Sequence, residues 1–101
     1  MASKIKSPLM DDLFEAILCL ETLDECYAFF EDIWTIQEAQ SMAQRLAVAK
    51  MLQDKQKYLD ISEKTGASTA TISRVNKALN YGADGYKMIL ARIKKGNTQG
   101  E

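Results

Sequence analysis

The apolar residues of this 101-residue chain recur at spacings of three and four along most of its length. That spacing is typical of amphipathic helices, and we identify no convincing strand and no internal repeat. A hydrophobic content of 47% with one proline and five glycines excludes a disordered or collagen-like chain. We therefore predict an all-α fold of six helices in a single domain.

Capping signals predict where these helices begin. Ser7 precedes Pro8, which suits the first turn of a helix over residues 8–20. Two segments have the capping-box pattern, in which a hydroxyl and a carboxylate accept hydrogen bonds from free amides at the start of a helix. The segment Thr22–Glu25 opens the second helix, and Thr35–Glu38 opens the third. The third helix runs to about residue 52, and a last helix covers residues 84–95 before a flexible tail at 96–101.

Residues 58–79 have the pattern of a helix-turn-helix. Gly66 suits the left-handed end of a short helix, and Ser68 suits the cap of the next. Ile72, Val75 and Leu79 form one inward stripe of that second helix. The opposite face carries small side chains, which let a helix lie deep in the major groove of DNA. An ordinary helix–helix corner in a core is the alternative.

The predicted DNA contacts fall into two classes. Groove contacts are expected from the second helix, and phosphate contacts from nearby lysines. The groove residues are Thr69, Ala70, Thr71 and Ser73, and the phosphate anchors are Lys57, Lys64 and Lys77. Ser68 is expected to cap the helix or to reach a phosphate.

Charge divides the chain in a way that favours a polyanionic partner. Residues 1–44 carry two bases against nine acids, a net −7, and residues 45–95 carry eleven bases against four acids, a net +7. Phosphate contacts supply most non-specific nucleic-acid affinity, so this division suggests a polyanion as partner of the second half. Together with the helix-turn-helix pattern, it points to double-stranded DNA. Solvated lysine-rich helices are the alternative.

Several absences argue against an enzyme and against a metal or cofactor. The chain has no histidine, the commonest general base and metal ligand. Cys19 and Cys26 are seven apart, which matches no redox or zinc motif, and we expect both to be reduced. We find no phosphate-binding glycine loop, membrane span or secretory signal, and so expect a cytoplasmic protein.

The N-terminal helices offer more apolar surface than a small monomer covers easily, including Phe14, Ile17, Phe30 and Trp34. We therefore expect residues 1–53 to form dimerisation helices. A two-fold homodimer would present two recognition helices to a palindromic site.

The chain resembles the bacterial Trp repressor family in three segments, Phe29–Glu38, Gln44–Leu46 and Gly66–Arg74. The similarity extends over residues 9–93. It is strongest to a Trp-repressor-related branch of Bacillus-type bacteria. The resemblance implies a six-helix, intertwined homodimer that regulates transcription. It also implies a small-molecule effector site at Thr35, Arg45 and Arg74. From the residues alone, Arg74 could instead contact a phosphate, and Arg45 could be a solvated surface arginine.

Two departures from the family pattern affect this effector site. Val75 stands where tryptophan-binding members have glycine, and Ala78 stands where they have a small hydroxyl residue. Overpacking and a lost hydrogen bond to the ligand's amine each cost about 1 to 3 kcal/mol, so tryptophan is not the expected corepressor. Either another small carboxylate binds between Arg45 and Arg74, or no ligand binds and Val75 fills the pocket.

The sequence thus predicts a homodimeric helix-turn-helix regulator of transcription, most simply a repressor that occludes a promoter. The alternative is an acidic helical module or anti-activator that binds a protein partner without reading DNA. The acidic sequence pI of about 5.5 motivates that alternative.

Overall fold

The computed structural model describes the backbone of residues 3–99 and the side chains of residues 3–94. This part of the chain forms six helices and no strand, which confirms the predicted fold class. The helices are α1 (Pro8–Leu18), α2 (Leu23–Ile33), α3 (Ile36–Gln53), α4 (Tyr58–Thr65), α5 (Thr69–Tyr81) and α6 (Gly85–Gln99). None of them is long and apolar enough to cross a membrane.

The helix boundaries differ from the predicted ones mainly at the C-terminal ends. α1 ends at Leu18 because the amides of Cys19 and Leu20 donate to carbonyls three residues back, those of Ala16 and Ile17 respectively. α6 continues to Gln99, so the first four residues of the predicted tail are helical. A glycine such as Gly96 costs a helix only about 1 kcal/mol and does not end it by itself. Residues 100–101 of that tail lie outside the described residues.

The residues group into two compact units, a first unit of Met1–Gln37 and a second unit of Glu38–Glu101. Nearly all of α3 therefore groups with α4, α5 and α6. The reason is that Val48 and Ala49 of α3 are completely buried in the core of the second unit.

The first unit consists of two well-capped helices. The Ser7 hydroxyl accepts a 3.1 Å hydrogen bond from the amide of Met10, and the Thr22 hydroxyl accepts one of 3.1 Å from Glu25. The Glu25 carboxylate reaches back to the amide of Glu21 at 2.8 Å, one residue beyond the predicted capping-box partner. No residue of α1 or α2 is buried.

The core of the second unit joins α3, α4, α5 and α6. Ile61 of α4, Ile72 and Val75 of α5, and Leu90 of α6 pack in one cluster with the two buried α3 residues. Leu79 is also buried, which confirms the predicted inward stripe of α5. This core sets the positions of the turn and of the outer face of α5.

Candidate nucleic-acid interface

Gly66 ends α4 in the left-handed conformation that the sequence predicts. Its φ is 75°, and its amide donates a 2.8 Å hydrogen bond to the carbonyl of Ser62. Glycine adopts this conformation without the steric strain that a Cβ introduces. The chain therefore reverses between α4 and α5 within three residues.

Hydroxyl side chains supply further hydrogen bonds inside this turn. The Thr65 hydroxyl donates to the carbonyl of Ile61 at 2.7 Å and accepts from the amide of Ala67 at 3.1 Å. Buried polar backbone groups need such partners, because an unpaired one costs about 1 to 3 kcal/mol. The turn is thus held by directional contacts as well as by apolar packing.

Ser68 caps α5, as predicted. Its hydroxyl accepts a 3.1 Å hydrogen bond from the amide of Thr71 and donates one of 3.1 Å to the Thr71 hydroxyl. Three of the four predicted groove residues are exposed, namely Thr69, Ala70 and Ser73, and Ser68 is exposed as well. Thr71 differs from them: it is half-buried and lies on the wall of a cavity.

The three predicted phosphate anchors are exposed. Lys64 donates a 3.2 Å hydrogen bond to the side-chain oxygen of Gln56, which holds its ammonium near the start of α4. Lys57 and Lys77 have no ion-pair or side-chain hydrogen-bond partner among the described residues. Their charges are therefore available to an external anion.

Two asparagines of α5 were missed by the sequence analysis. Asn76 and Asn80 follow Ser73 at helical spacings of three and seven residues, on the flank of α5 that also carries Thr69. The Asn80 amide nitrogen donates to the backbone oxygen of Asn76 at 3.0 Å and to its side-chain oxygen at 3.1 Å. Asparagine pairs well with adenine in the major groove. Their spacing of three and seven residues from Ser73 is the sequence signal that would have predicted them on the same face of α5.

A cavity of about 190 Å³ lies beside α5 and brings the two predicted effector arginines together. It is lined by Arg45, Thr71, Arg74, Val75, Ala78 and Tyr86. Val75 is buried but does not fill the cavity. The two guanidinium groups on the cavity wall suit a ligand with a carboxylate. Usual ligand pockets measure about 300 to 1,000 Å³, so this one favours a small molecule.

The other predicted effector residue, Thr35, is not on that wall. Thr35 belongs to the first unit, and every lining residue belongs to the second. Tyr86 of α6 also lines the cavity, although no sequence pattern identified it as a site residue. Tyr86 reaches the cavity because α6 packs against α5, and the local sequence does not predict that packing.

Comparison with known proteins shows the family to which the chain belongs. The family described as "Trp repressor protein" matches residues 9–94. The chain belongs to the Trp repressor family. This confirms the resemblance seen in the sequence, and the Trp repressor family is one of DNA-binding regulators, not of enzymes.

Individual relatives are similar to this chain over almost its whole length. The uncharacterized protein YerC of Bacillus subtilis (strain 168) is 53% identical over 96 residues, which cover 95% of this chain and 92% of YerC. The crystal structure of a TrpR like protein from Eubacterium eligens is 58% identical, with a TM-score of 0.87 over 90% of this chain and 94% of that one. A Staphylococcus aureus structure is 50% identical, with a TM-score of 0.86 and coverage of 90% and 91%.

Proposed function

We propose that this protein is a homodimeric transcriptional repressor that reads a palindromic operator through α5. The observation that carries the proposal is the exposed face of this serine-capped helix. It presents Thr69, Ala70 and Ser73, with Lys77 beside them. Small hydroxyl and methyl groups permit close approach to base edges, and a lysine contributes phosphate affinity.

The first unit supports the dimer. Leu9, Leu18 and Leu23 are 81%, 83% and 73% exposed, and neither α1 nor α2 contains a buried residue. Covering such apolar side chains contributes about 1.5 to 3 kcal/mol each, and a second copy of the chain provides the matching surface. Two-fold symmetry would place the two α5 helices about 34 Å apart, one turn of DNA.

The dimer is tested by sedimentation equilibrium of the wild-type protein and of Leu18→Ser. We expect a wild-type dimer and a variant that dissociates at low micromolar concentration, because the replacement removes apolar contact area. Leu59→Ser is the matched control, since Leu59 is 70% exposed on α4 and outside the proposed dimer surface. A monomeric wild-type protein, or dissociation by the control alone, contradicts the assignment.

An effector is the second part of the proposal. A small carboxylate would lie between Arg45 and Arg74, in a cavity whose remaining wall is largely apolar. Thr35 is retained as a candidate contact because of the family pattern. Val75 and Ala78 argue against tryptophan as this effector, for the steric and hydrogen-bonding reasons given above.

The whole proposal is tested by selection from a random double-stranded DNA pool at near-physiological salt. Enrichment of a palindrome with half-sites one turn apart supports a DNA-reading dimer that needs no effector. Enrichment only when cell extract is added supports an effector-dependent one. Enrichment under neither condition overturns DNA reading and favours the acidic first unit as a protein-binding module.

A further inference from the structure

Gln44 of α3 reaches the turn of the helix-turn-helix through its side-chain amide. Nε2 donates a 3.1 Å hydrogen bond to the carbonyl of Thr65, twenty-one residues further along the chain. The same nitrogen lies 3.9 Å from the point that a Cβ on Gly66 would occupy. Gln44 is half-buried, so its side chain lies against the turn and does not extend into solvent.

The Thr65 carbonyl needs a partner from outside α4. The last four carbonyls of a helix have no amide of the next turn to pair with. Of these four carbonyls, that of Ser62 is paired by the amide of Gly66, just beyond the helix. Thr65 is the last residue of α4, and its carbonyl is paired by Gln44. α3 therefore supplies the hydrogen-bond donor for the last carbonyl of α4.

We propose that Gln44 is a positioning residue for DNA recognition, which holds the turn against α3 and so sets the angle of α5. This role rests on the proposed function. The apolar contacts of Val48 and Ala49 hold α3 to the same core, but such contacts have little directional preference. A hydrogen bond is strongly directional, and this one joins α3 to the turn from which α5 starts.

Small changes of that angle matter because α5 is long. Its thirteen residues span about 20 Å, so a rotation of about 10° at the turn would move its far end by roughly 3 Å. That displacement exceeds the tolerance of a hydrogen bond to a base edge. Contacts between lysines and phosphates depend much less on geometry. Loss of the Gln44 contact should therefore reduce operator affinity more than affinity for random DNA.

The test compares Gln44→Met with Gln40→Met. Methionine keeps the length of the side chain and removes the donor, and Gln40 is exposed on α3 one turn earlier. Affinities are measured for the selected palindrome and for random-sequence DNA, with the folded fraction checked by urea titration at the assay temperature. We expect the operator-to-random affinity ratio of Gln44→Met to fall about tenfold, with unchanged salt dependence, and that of Gln40→Met to stay at the wild-type value.

A second pair of variants separates the lost donor from general loss of packing. Gln44→Glu places a carboxylate beside the Thr65 carbonyl and should lower the ratio at least as far as methionine does. Gln40→Glu adds the same charge to α3 and should leave the ratio unchanged.

The outcomes distinguish this role from the proposed function. An unchanged ratio in Gln44→Met, or equal losses on both DNAs, overturns the role of Gln44 alone. If the wild-type protein binds operator and random DNA equally well, the Gln40 variants will also show no preference for the operator. The proposed function then fails, and the positioning role fails with it.

Discussion

The Ser62 hydroxyl donates a 2.9 Å hydrogen bond to the carbonyl of Ala67, across the turn between α4 and α5. Ala67 is 2% exposed, so its carbonyl lies where water has little access to replace this donor. Together with the Thr65 hydroxyl, Ser62 fixes the path of the chain on both sides of Gly66. The turn is therefore specified in detail, and it tolerates only a backbone that can adopt a positive φ.

Replacement of Gly66 should accordingly destabilise the fold. At φ 75° an alanine is strained, and we expect Gly66→Ala to lower the free energy of unfolding by about 1 to 2 kcal/mol. Urea titration at fixed protein concentration measures this change. Gly85→Ala is the control, because its Cβ would meet no atom within 4 Å and alanine favours a helix by about 1 kcal/mol. Equal stability of Gly66→Ala and wild type would show that the turn rearranges freely.

Features with a local cause could be predicted from the sequence. The caps at Ser7, Thr22 and Ser68 and the glycine end of α4 form within four residues of chain, so residue type and spacing reveal them. The inward stripe of α5 follows from helical periodicity in the same way. These local signals together predicted six helices and the turn between α4 and α5.

Features that depend on packing between distant segments could not be predicted this way. The Gln44 contact spans twenty-one residues, and the cavity joins side chains of α3, α5 and α6. Thr71 illustrates the difference: its helical position predicts a groove contact, and only the packing of α5 reveals that it also lines the cavity. Which flank of α5 faces a neighbour depends on the packing of the core around that helix.

A negative charge at the start of α5 should abolish DNA binding without unfolding the protein. Thr69 is the first residue of α5 and is exposed, and an acidic side chain there interacts favourably with the helix dipole. The same charge would repel DNA phosphates at the groove. We expect Thr69→Glu to retain its helical circular dichroism and to lose operator binding in a mobility-shift assay. Gln40→Glu, with an equal charge on α3, should bind normally; normal binding by Thr69→Glu would refute the groove assignment.

Removal of the predicted phosphate anchors should change the salt dependence of binding. Each lost phosphate contact reduces the slope of log affinity against log salt by roughly 0.9. We expect that reduction from Lys57→Gln, Lys64→Gln and Lys77→Gln separately, with affinity lowered on operator and random DNA alike. Lys4→Gln is the control, because Lys4 is an exposed lysine of the first unit. A slope that does not differ from the wild-type slope removes that lysine from the contact set.

Tryptophan binding should be weak in the wild-type protein and should improve in Ala78→Ser. Ala78 lines the cavity with Arg45 and Arg74 but offers no acceptor to a ligand's amine. A hydroxyl at this position restores one hydrogen bond to a charged group, which contributes about 1.5 to 3 kcal/mol, so affinity for L-tryptophan should rise at least tenfold. Isothermal titration calorimetry measures this gain. Ala91→Ser, at an exposed position of α6, should show none. Adding Arg74→Gln to Ala78→Ser should cancel this gain in affinity if the ligand's carboxylate binds at Arg74. Micromolar binding of tryptophan by the wild-type protein would show that neither Val75 nor Ala78 excludes it.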